Sequence, residues 1–282
     1  MRQGSKVWLA TNAASGSNDE ELVARLKAML TAGGVTIVRE SDCRDDALPE
    51  RVSAEAAGAT HLLVLGGDGT LNSVLARMEG WRGQVLPLPG GTANLLCRGL
   101  HGDDDPEAIV ARFLAGELVT RRVACVRGEN CIALAELLAG PGAKWADVRE
   151  EMRDGDLAGI VESASEAAGE SVSGAAVRVA QPALGRDEGY PGVRLSPWPG
   201  GIHIQGYGGE GVVDLLKQGL AILGRDFRDG PHDDLGEHAT VALASADGSP
   251  IELMADGERL TGGAHETFSL AELEVDLLGP PA

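Results

Sequence analysis

The sequence predicts an α/β protein built of two domains. In residues 1–122, short apolar runs alternate with amphipathic helical segments, which predicts a doubly wound parallel sheet. In residues 123–282, strand-like segments follow one another around turn signals, which predicts a mainly antiparallel β-sandwich domain with helices. A chain of 282 residues, of which 43% are hydrophobic, is long enough to bury a separate core in each part.

The strands of the first domain are predicted to be buried on both faces, because their apolar runs are continuous rather than alternating. They are predicted at residues 6–10, 35–38, 61–65 and 84–88. Residues 19–30 carry an apolar stripe with acidic residues in the first turn, which is typical of an amphipathic helix. Another helix is predicted to start at Asp105-Pro106, where Asp105 can cap its first turn, and to end before Gly116.

The second domain is predicted to contain two β-hairpins. One joins residues 193–198 to 202–207 through Pro199-Gly200-Gly201, and the other joins 239–244 to 251–254 around Asp247-Gly248. Helices are predicted at residues 145–168 and 211–223.

The charge of the chain excludes one class of partner. The formal net charge is −19, of which residues 1–122 contribute −3 and residues 123–282 contribute −16. No basic cluster is longer than Arg121-Arg122, so no nucleic acid is expected as a partner. The same acidity opposes adsorption to anionic membranes. No apolar run approaches the roughly 18 to 20 residues of a membrane span and no signal sequence precedes the first strand, so we expect no transmembrane segment and a cytoplasmic location.

The strongest motif is a glycine loop between an apolar strand and a helix. Residues 62–65 are apolar, and Gly66-Gly67-Asp68-Gly69-Thr70 follows them, with the helix expected from Ser73. Glycines let backbone N–H groups approach phosphate oxygens, and a helix N-terminus adds a favourable dipole. A carboxylate beside phosphate suits Mg²⁺ binding or proton transfer from an attacking hydroxyl, which is kinase chemistry. The alternative interpretation is a plain turn in which Asp68 and Thr70 cap the helix. The loop lacks both the GxGxxG spacing of dinucleotide-binding folds and the lysine of a P-loop.

A second glycine loop follows the next strand. It reads Pro89-Gly90-Gly91-Thr92-Ala93-Asn94, where Thr92 can cap a helix and Asn94 can contact a nucleotide. Because ligands bind at the carboxyl ends of strands in doubly wound sheets, the two loops support each other. Taken alone, the second loop is equally well explained as a helix start.

Together, GGDGTLN and PGGTANLL resemble the catalytic domain of diacylglycerol kinases, sphingosine kinases and related bacterial lipid kinases. The segment Asn12-Ala13-Ala14-Ser15-Gly16 is similar to the family's NPxSG nucleotide loop, with Ala13 in place of proline. Asp256-Gly257-Glu258 resembles the family's DGE signature, although by itself it would be a hairpin turn. The segment around Gly140, Gly142 and Asp147 retains only an imprint of a further glycine-rich motif, which leaves the acceptor class open.

The resemblance implies an ATP- and Mg²⁺-dependent transfer of the γ-phosphoryl group to a lipid hydroxyl, diacylglycerol-like or sphingoid-like, met transiently at a membrane surface. Its implied catalytic residues are Asp68, Asp256 and Glu258, with Asp68 also at the metal. Its implied nucleotide-binding residues are Asn12, Ser15, Gly16, Gly66, Gly67, Gly69, Thr70, Gly91, Thr92 and Asn94. Either Asp68 or Asp256 could be the general base, with a slight preference for Asp256, and a homodimer remains an option. The alternatives are an NAD kinase-like enzyme, which also uses GGDGT, and a catalytically silent nucleotide-binding protein of the same fold.

Overall fold

The computed structural model describes residues 4–12, 20–91, 93–141, 175–207 and 232–281. The elements within these ranges are β1 (Lys6–Thr11), α1 (Glu20–Ala32), β2 (Thr36–Asp42), α2 (Arg51–Ala56), β3 (His61–Gly66), α3 (Asp68–Arg77), β4 (Gln84–Pro89), α4 (Leu95–His101), α5 (Pro106–Ala115), β5 (Val119–Arg121), β6 (Ala124–Arg127), β7 (Ile132–Ala133), β8 (Leu137–Ala139), β9 (Val177–Gln181), β10 (Gly192–Trp198), β11 (Gly201–Tyr207), β12 (Asp233–His238), β13 (Thr240–Ser245), β14 (Glu252–Ala255), β15 (Glu258–Thr261), β16 (His265–Glu272) and β17 (Asp276–Gly279). The helices predicted at 145–168 and 211–223 lie outside the described residues.

The chain divides into two compact units, Met1–Val123 together with Glu272–Ala282, and Ala124–Ala271. The first unit is built on a six-stranded sheet of order β2-β1-β3-β4-β17-β5. Strands β2, β1, β3, β4 and β17 run parallel, and β5 is an antiparallel edge. Strand β3 is buried at every position, as its continuous apolar run predicts.

The side chains of β3 alternate between the two faces of the sheet, and helices pack against one of these faces. Helices α1 and α5 pack on one face, where their apolar stripes bury Leu26 and Phe113 against Leu63 and Leu65. The alternate residue Val64 is equally buried and points to the opposite face. The Asp105 carboxylate accepts a hydrogen bond from the N–H of Ala108 and caps α5, as predicted. The α/β fold with a parallel N-terminal sheet is therefore confirmed.

The last strand of the chain completes the sheet of the first unit. Strand β17 lies between β4, to which it is parallel, and β5, to which it is antiparallel. The sequence-based division had placed everything after residue 122 in the second domain. In the structure, Glu272–Ala282 is grouped with the first unit because these ladder hydrogen bonds hold it there.

The second unit is a sandwich of two antiparallel sheets. One has the order β12-β11-β10-β8-β14-β15 and the other the order β7-β6-β16-β13-β9. Alternate residues of both sheets, among them Leu195 and Ile204 on one and Leu243 and Phe268 on the other, form a single buried core. The predicted mainly antiparallel β-sandwich is confirmed.

One of the two predicted hairpins is wrong. Strands β10 and β11 pair along their whole length, as expected. Strand β13, however, pairs with β9 and β16, while β14 pairs with β8 and β15 in the other sheet. The Asp247-Gly248 turn therefore carries the chain between sheets, because each strand finds its partners elsewhere in the sequence. Within the described ranges, no helix combines the length and the apolar character needed to cross a bilayer.

Candidate active site

Three loops of the first unit meet at one edge of its sheet. They follow β1, β3 and β4, which are neighbours in the sheet and parallel, so their carboxyl ends lie side by side. The loops bring Asn12 into contact with Thr70, and Gly90 into contact with Gly66. Ser15, Gly16 and Thr92 lie outside the described residues.

The loop after β3 is shorter than predicted, because α3 begins at Asp68 rather than near Ser73. Gly67 is the N-cap residue in an extended conformation, with φ −79° and ψ 175°. The N–H of Leu71 donates to the carbonyl of Gly67 at 3.0 Å and closes the first helical turn. The N–H groups of Asp68, Gly69 and Thr70 precede that bond, so the helix itself offers them no carbonyl partner. This end of α3 presents backbone donors and the positive end of the helix dipole.

The carboxylate of Asp68 connects α3 to the second glycine loop. Its Oδ1 accepts a hydrogen bond of 3.2 Å from the N–H of Leu96, in the first turn of α4. Asp68 is half-buried, and this is its one side-chain hydrogen bond recorded among the described residues. Burial raises the pKa of the neighbouring Cys97 thiol, and the charge of Asp68 adds to the rise, so this thiol is held in its unreactive protonated form.

The two glycine loops are packed against each other at backbone distance. The N–H of Gly90 donates to the carbonyl of Gly66 at 3.1 Å. A Cβ on Gly90 would lie 2.8 Å from the nitrogen of Gly66, and a Cβ on Gly91 would lie 2.6 Å from the Cα of Gly67. Gly90 and Gly91 are therefore required by packing, and sequence reasoning had not singled out Gly90.

Two asparagines brace these loops. The Asn12 backbone N–H donates to the carbonyl of Leu65 at 2.9 Å, and its Nδ2 donates to Oγ1 of Thr70 at 2.7 Å. Asn94 lies in the left-handed region with φ 50°. Its Oδ1 accepts from the N–H of Gly91 at 2.8 Å, and its Nδ2 donates to the carbonyl of Gly91 at 2.7 Å. Because each amide group has two donors and two acceptor sites, Asn94 retains capacity for a further ligand.

The DGE segment, residues 256–258, belongs to the second unit. Asp256 and Gly257 form the two-residue turn between β14 and β15. Asp256 is buried, with its carboxylate bonded to the backbone of residues 134–136, whereas Glu258 is exposed at the start of β15. The structure thus brings the two acids to one turn but gives them different environments.

Sequence reasoning missed a buried acid in the segment 134–136, whose backbone contacts Asp256. Glu136 is only 6% exposed, and its Oε2 is 3.1 Å from Nε of Arg194. The signal in the sequence was a single charged residue inside the apolar run of residues 132–139. Gly140 lies at the end of the same run and has φ 109°, and a Cβ there would lie 2.7 Å from the carbonyl oxygen of Pro191. The backbone conformation and the close packing therefore both require glycine at this position. Gly142 and Asp147 lie outside the described residues.

Comparison with known proteins gives a consistent assignment. Residues 6–126 match the family model of the diacylglycerol kinase catalytic domain. A search of curated proteins found none that matches the chain. Among solved structures, the chain is similar to a protein of Bacillus anthracis str. Sterne provisionally described as a diacylglycerol kinase, with 18% identity, a TM-score of 0.61, and 98% and 96% of the two chains covered.

A diacylglycerol kinase structure from the same organism has 14% identity, a TM-score of 0.60 and 98% of each chain covered. At these identities the structural likeness establishes the fold, while the family model establishes the sequence relationship. The sequence relationship therefore concerns residues 6–126, which are similar to the diacylglycerol kinase catalytic domain.

Proposed function

We propose that the protein is an ATP- and Mg²⁺-dependent lipid kinase, which transfers the γ-phosphoryl group of ATP to a hydroxyl of a diacylglycerol-like or sphingoid-like lipid. The kinase assignment follows from the match of residues 6–126 to the diacylglycerol kinase catalytic domain. The observation that carries the proposal is the position of Asp68 in the first turn of α3, among backbone N–H groups that the helix leaves without carbonyl partners.

The residues of the first unit fit a nucleotide phosphate. The N–H groups of Asp68, Gly69 and Thr70 are donors for phosphate oxygens, and Thr70 and Asn12 hold each other in place. Asn94, braced by Gly91, is the candidate for a further nucleotide contact. Such donors stabilise the charge that spreads over the transferring phosphoryl group.

The carboxylate of Asp68 also fits Mg²⁺. This ion takes oxygen ligands, and in kinase sites it is bound through one or two carboxylates, substrate phosphates and water. Only Oδ1 of Asp68 has a recorded hydrogen-bond partner among the described residues. Within the same part of the chain, no group of three or more His, Cys, Asp or Glu residues could form a metal site of its own. When bound, the ion neutralises charge on the phosphates.

An exposed aromatic side chain on the surface of the second unit supports the proposal of a lipid substrate. Trp198 is 53% exposed at the end of β10, between Pro197 and Pro199. An exposed tryptophan partitions favourably into the interface between lipid head groups and water. The carboxylate of Glu237 lies over Gly200 at the same turn, which disfavours anionic head groups. We therefore propose transient docking to a zwitterionic or neutral lipid surface.

The decisive experiment is a transfer assay. Purified protein is incubated with radiolabelled ATP and Mg²⁺ and with a panel of diacylglycerol, sphingoid and glycerolipid acceptors in mixed micelles. We expect label in at least one lipid, and a fall of at least about 100-fold for Asp68→Ala, because this change removes both a metal ligand and a candidate base. Asp45→Ala, which alters an exposed carboxylate of the same unit, is the matched control and should keep wild-type activity.

Two outcomes separate the proposal from its alternatives. Formation of NADP from NAD and ATP, without label in lipid, would identify an NAD kinase-like enzyme. ATP binding with no transfer to any acceptor would identify a silent nucleotide-binding protein and end the kinase proposal.

A further inference from the structure

The Asp256 carboxylate is held by three successive backbone N–H groups. Its Oδ2 accepts from Leu134 at 2.6 Å, and its Oδ1 accepts from Ala135 at 2.9 Å and from Glu136 at 2.8 Å. The N–H of Asp256 itself donates to the carbonyl of Glu136 at 2.9 Å. Residues 134–136, which join β7 to β8, are thus attached to the β14–β15 turn by four hydrogen bonds.

This arrangement favours an ionised carboxylate with little capacity to accept a proton. A carboxylate offers about four lone-pair sites, and these N–H groups take three of them. The side chain is buried, with Asp256 only 6% exposed, so the bonds are made in an environment of reduced dielectric. Protonation would turn one acceptor oxygen into an O–H that faces an N–H, and it would remove the charge that strengthens all three bonds.

The turn itself explains why the carboxylate reaches this segment. Asp256 has φ 48° and Gly257 has φ 95°, so both residues of the two-residue turn lie in the left-handed region. Such turns match the twist of the flanking strands and accept Asp or Asn followed by Gly. Strand β14 pairs with β8, which begins directly after residue 136, and this pairing brings the turn beside the segment.

We infer that Asp256 is a positioning residue, whose ionised carboxylate holds the segment 134–136 together with the buried Glu136, and that it is not the general base of the proposed kinase. The inference has a structural half, that Asp256 holds the segment, and a catalytic half, that Asp256 is not the general base. The catalytic half rests on the proposed function. In the transfer, the acceptor oxygen bonds to the γ-phosphorus, the bond to the bridging oxygen breaks as ADP leaves, and the hydroxyl proton passes to a carboxylate. Of the two acids considered for this role, Asp68 is the one left to accept it.

The structural half is tested on the full chain without substrate. Asp256→Asn preserves shape and turn preference, but it removes the charge and replaces one acceptor oxygen by an NH₂ group. We expect amide hydrogen exchange at residues 134–136 to accelerate by at least about tenfold, the factor that corresponds to one lost hydrogen bond. Asp247→Asn is the matched control, since Asp247 also precedes a turn glycine, and its side-chain bonds within the described ranges are to Ser245 and Ser249 of its own turn. Unchanged exchange at 134–136 in Asp256→Asn would overturn the inference.

The catalytic half is tested by kinetics. A lost general base lowers kcat by about 100- to 10,000-fold and changes the pH profile of kcat. For Asp256→Asn we expect instead a kcat within about tenfold of wild type, an unchanged pH profile and a raised KM, because the segment is loosened while the proton acceptor stays in place. A kcat loss of the general-base size with an altered pH profile would refute the catalytic half. If the wild-type protein transfers no phosphoryl group, the proposed function fails, and the exchange measurement still decides the structural half.

Discussion

Replacing Gly90 by alanine should destabilise the first unit through contact between the two glycine loops. The new Cβ would lie 2.8 Å from the nitrogen of Gly66, 3.0 Å from its Cα and 3.2 Å from the carbonyl carbon of Leu65. Carbon atoms pack best at about 3.5 to 4.0 Å, so the loops would have to separate by roughly half an ångström or more. All three obstacles are backbone atoms at the end of β3, which its neighbours hold on both sides.

Overpacking of this kind costs about 1 to 3 kcal/mol. For a chain of this size, that cost corresponds to a fall in Tm of about 2 to 12 °C, measurable by scanning calorimetry or circular dichroism. Gly67→Ala is the matched control, because a Cβ there would meet only the Cα of Gly91 at an ordinary 3.5 Å and Gly67 has φ −79°. Equal Tm values for the two variants would refute the reasoning from loop packing.

Three further predictions concern the cap of α5, a buried histidine and the exposed tryptophan. Asp105→Ala removes the cap of α5 and should lower the free energy of unfolding by about 1 kcal/mol in urea titrations. Burial, with the charge of Arg112 second, lowers the pKa of His101 from 6.5 to about 4. Neutral His101 is the folded form, so stability should decline by about 3 kcal/mol as the pH falls from about 6.5 to 4, and His101→Leu should flatten this dependence. Trp198→Ala should weaken sedimentation with phosphatidylcholine vesicles by about tenfold, while Val52→Ala, a change at an even more exposed apolar side chain, should not.

The sequence predicted the first unit well because its signals are local. An uninterrupted apolar run such as 62–65 indicates a buried strand wherever it occurs, and Asp105-Pro106 specifies a helix start within three residues. The position of β17 in the sheet could not be predicted from such local signals. Its partners β4 and β5 lie more than 150 residues earlier in the chain, and no short pattern encodes such a pairing.

The same limit explains the wrong hairpin and the unforeseen contacts of Asp256. An Asp-Gly pair specifies the backbone of a turn, but it does not specify whether the next strand returns to the same sheet. Asp247-Gly248 joins strands of different sheets, and Asp256-Gly257 joins paired strands. The N–H of Leu134, which bonds to Asp256, lies 122 positions away, so a motif around Asp256 contains no trace of it.

The glycine loops show that one residue can be required by packing as well as by a predicted ligand. The density of glycines after β3 and β4 predicts phosphate binding. Gly90 and Gly91 are also needed for the close contact between the two loops, and this contact would require glycine even without a ligand. What phosphate chemistry needs beyond packing is a set of backbone donors and a carboxylate for the metal or the proton. Under the proposed function, the N–H groups of the first turn of α3 would be the donors and Asp68 would be the carboxylate, and neither follows from the number of glycines. Substitutions of Gly90 should therefore act on stability, and substitutions of Asp68 on turnover. The two effects are separable because one concerns contact between loops and the other concerns charge.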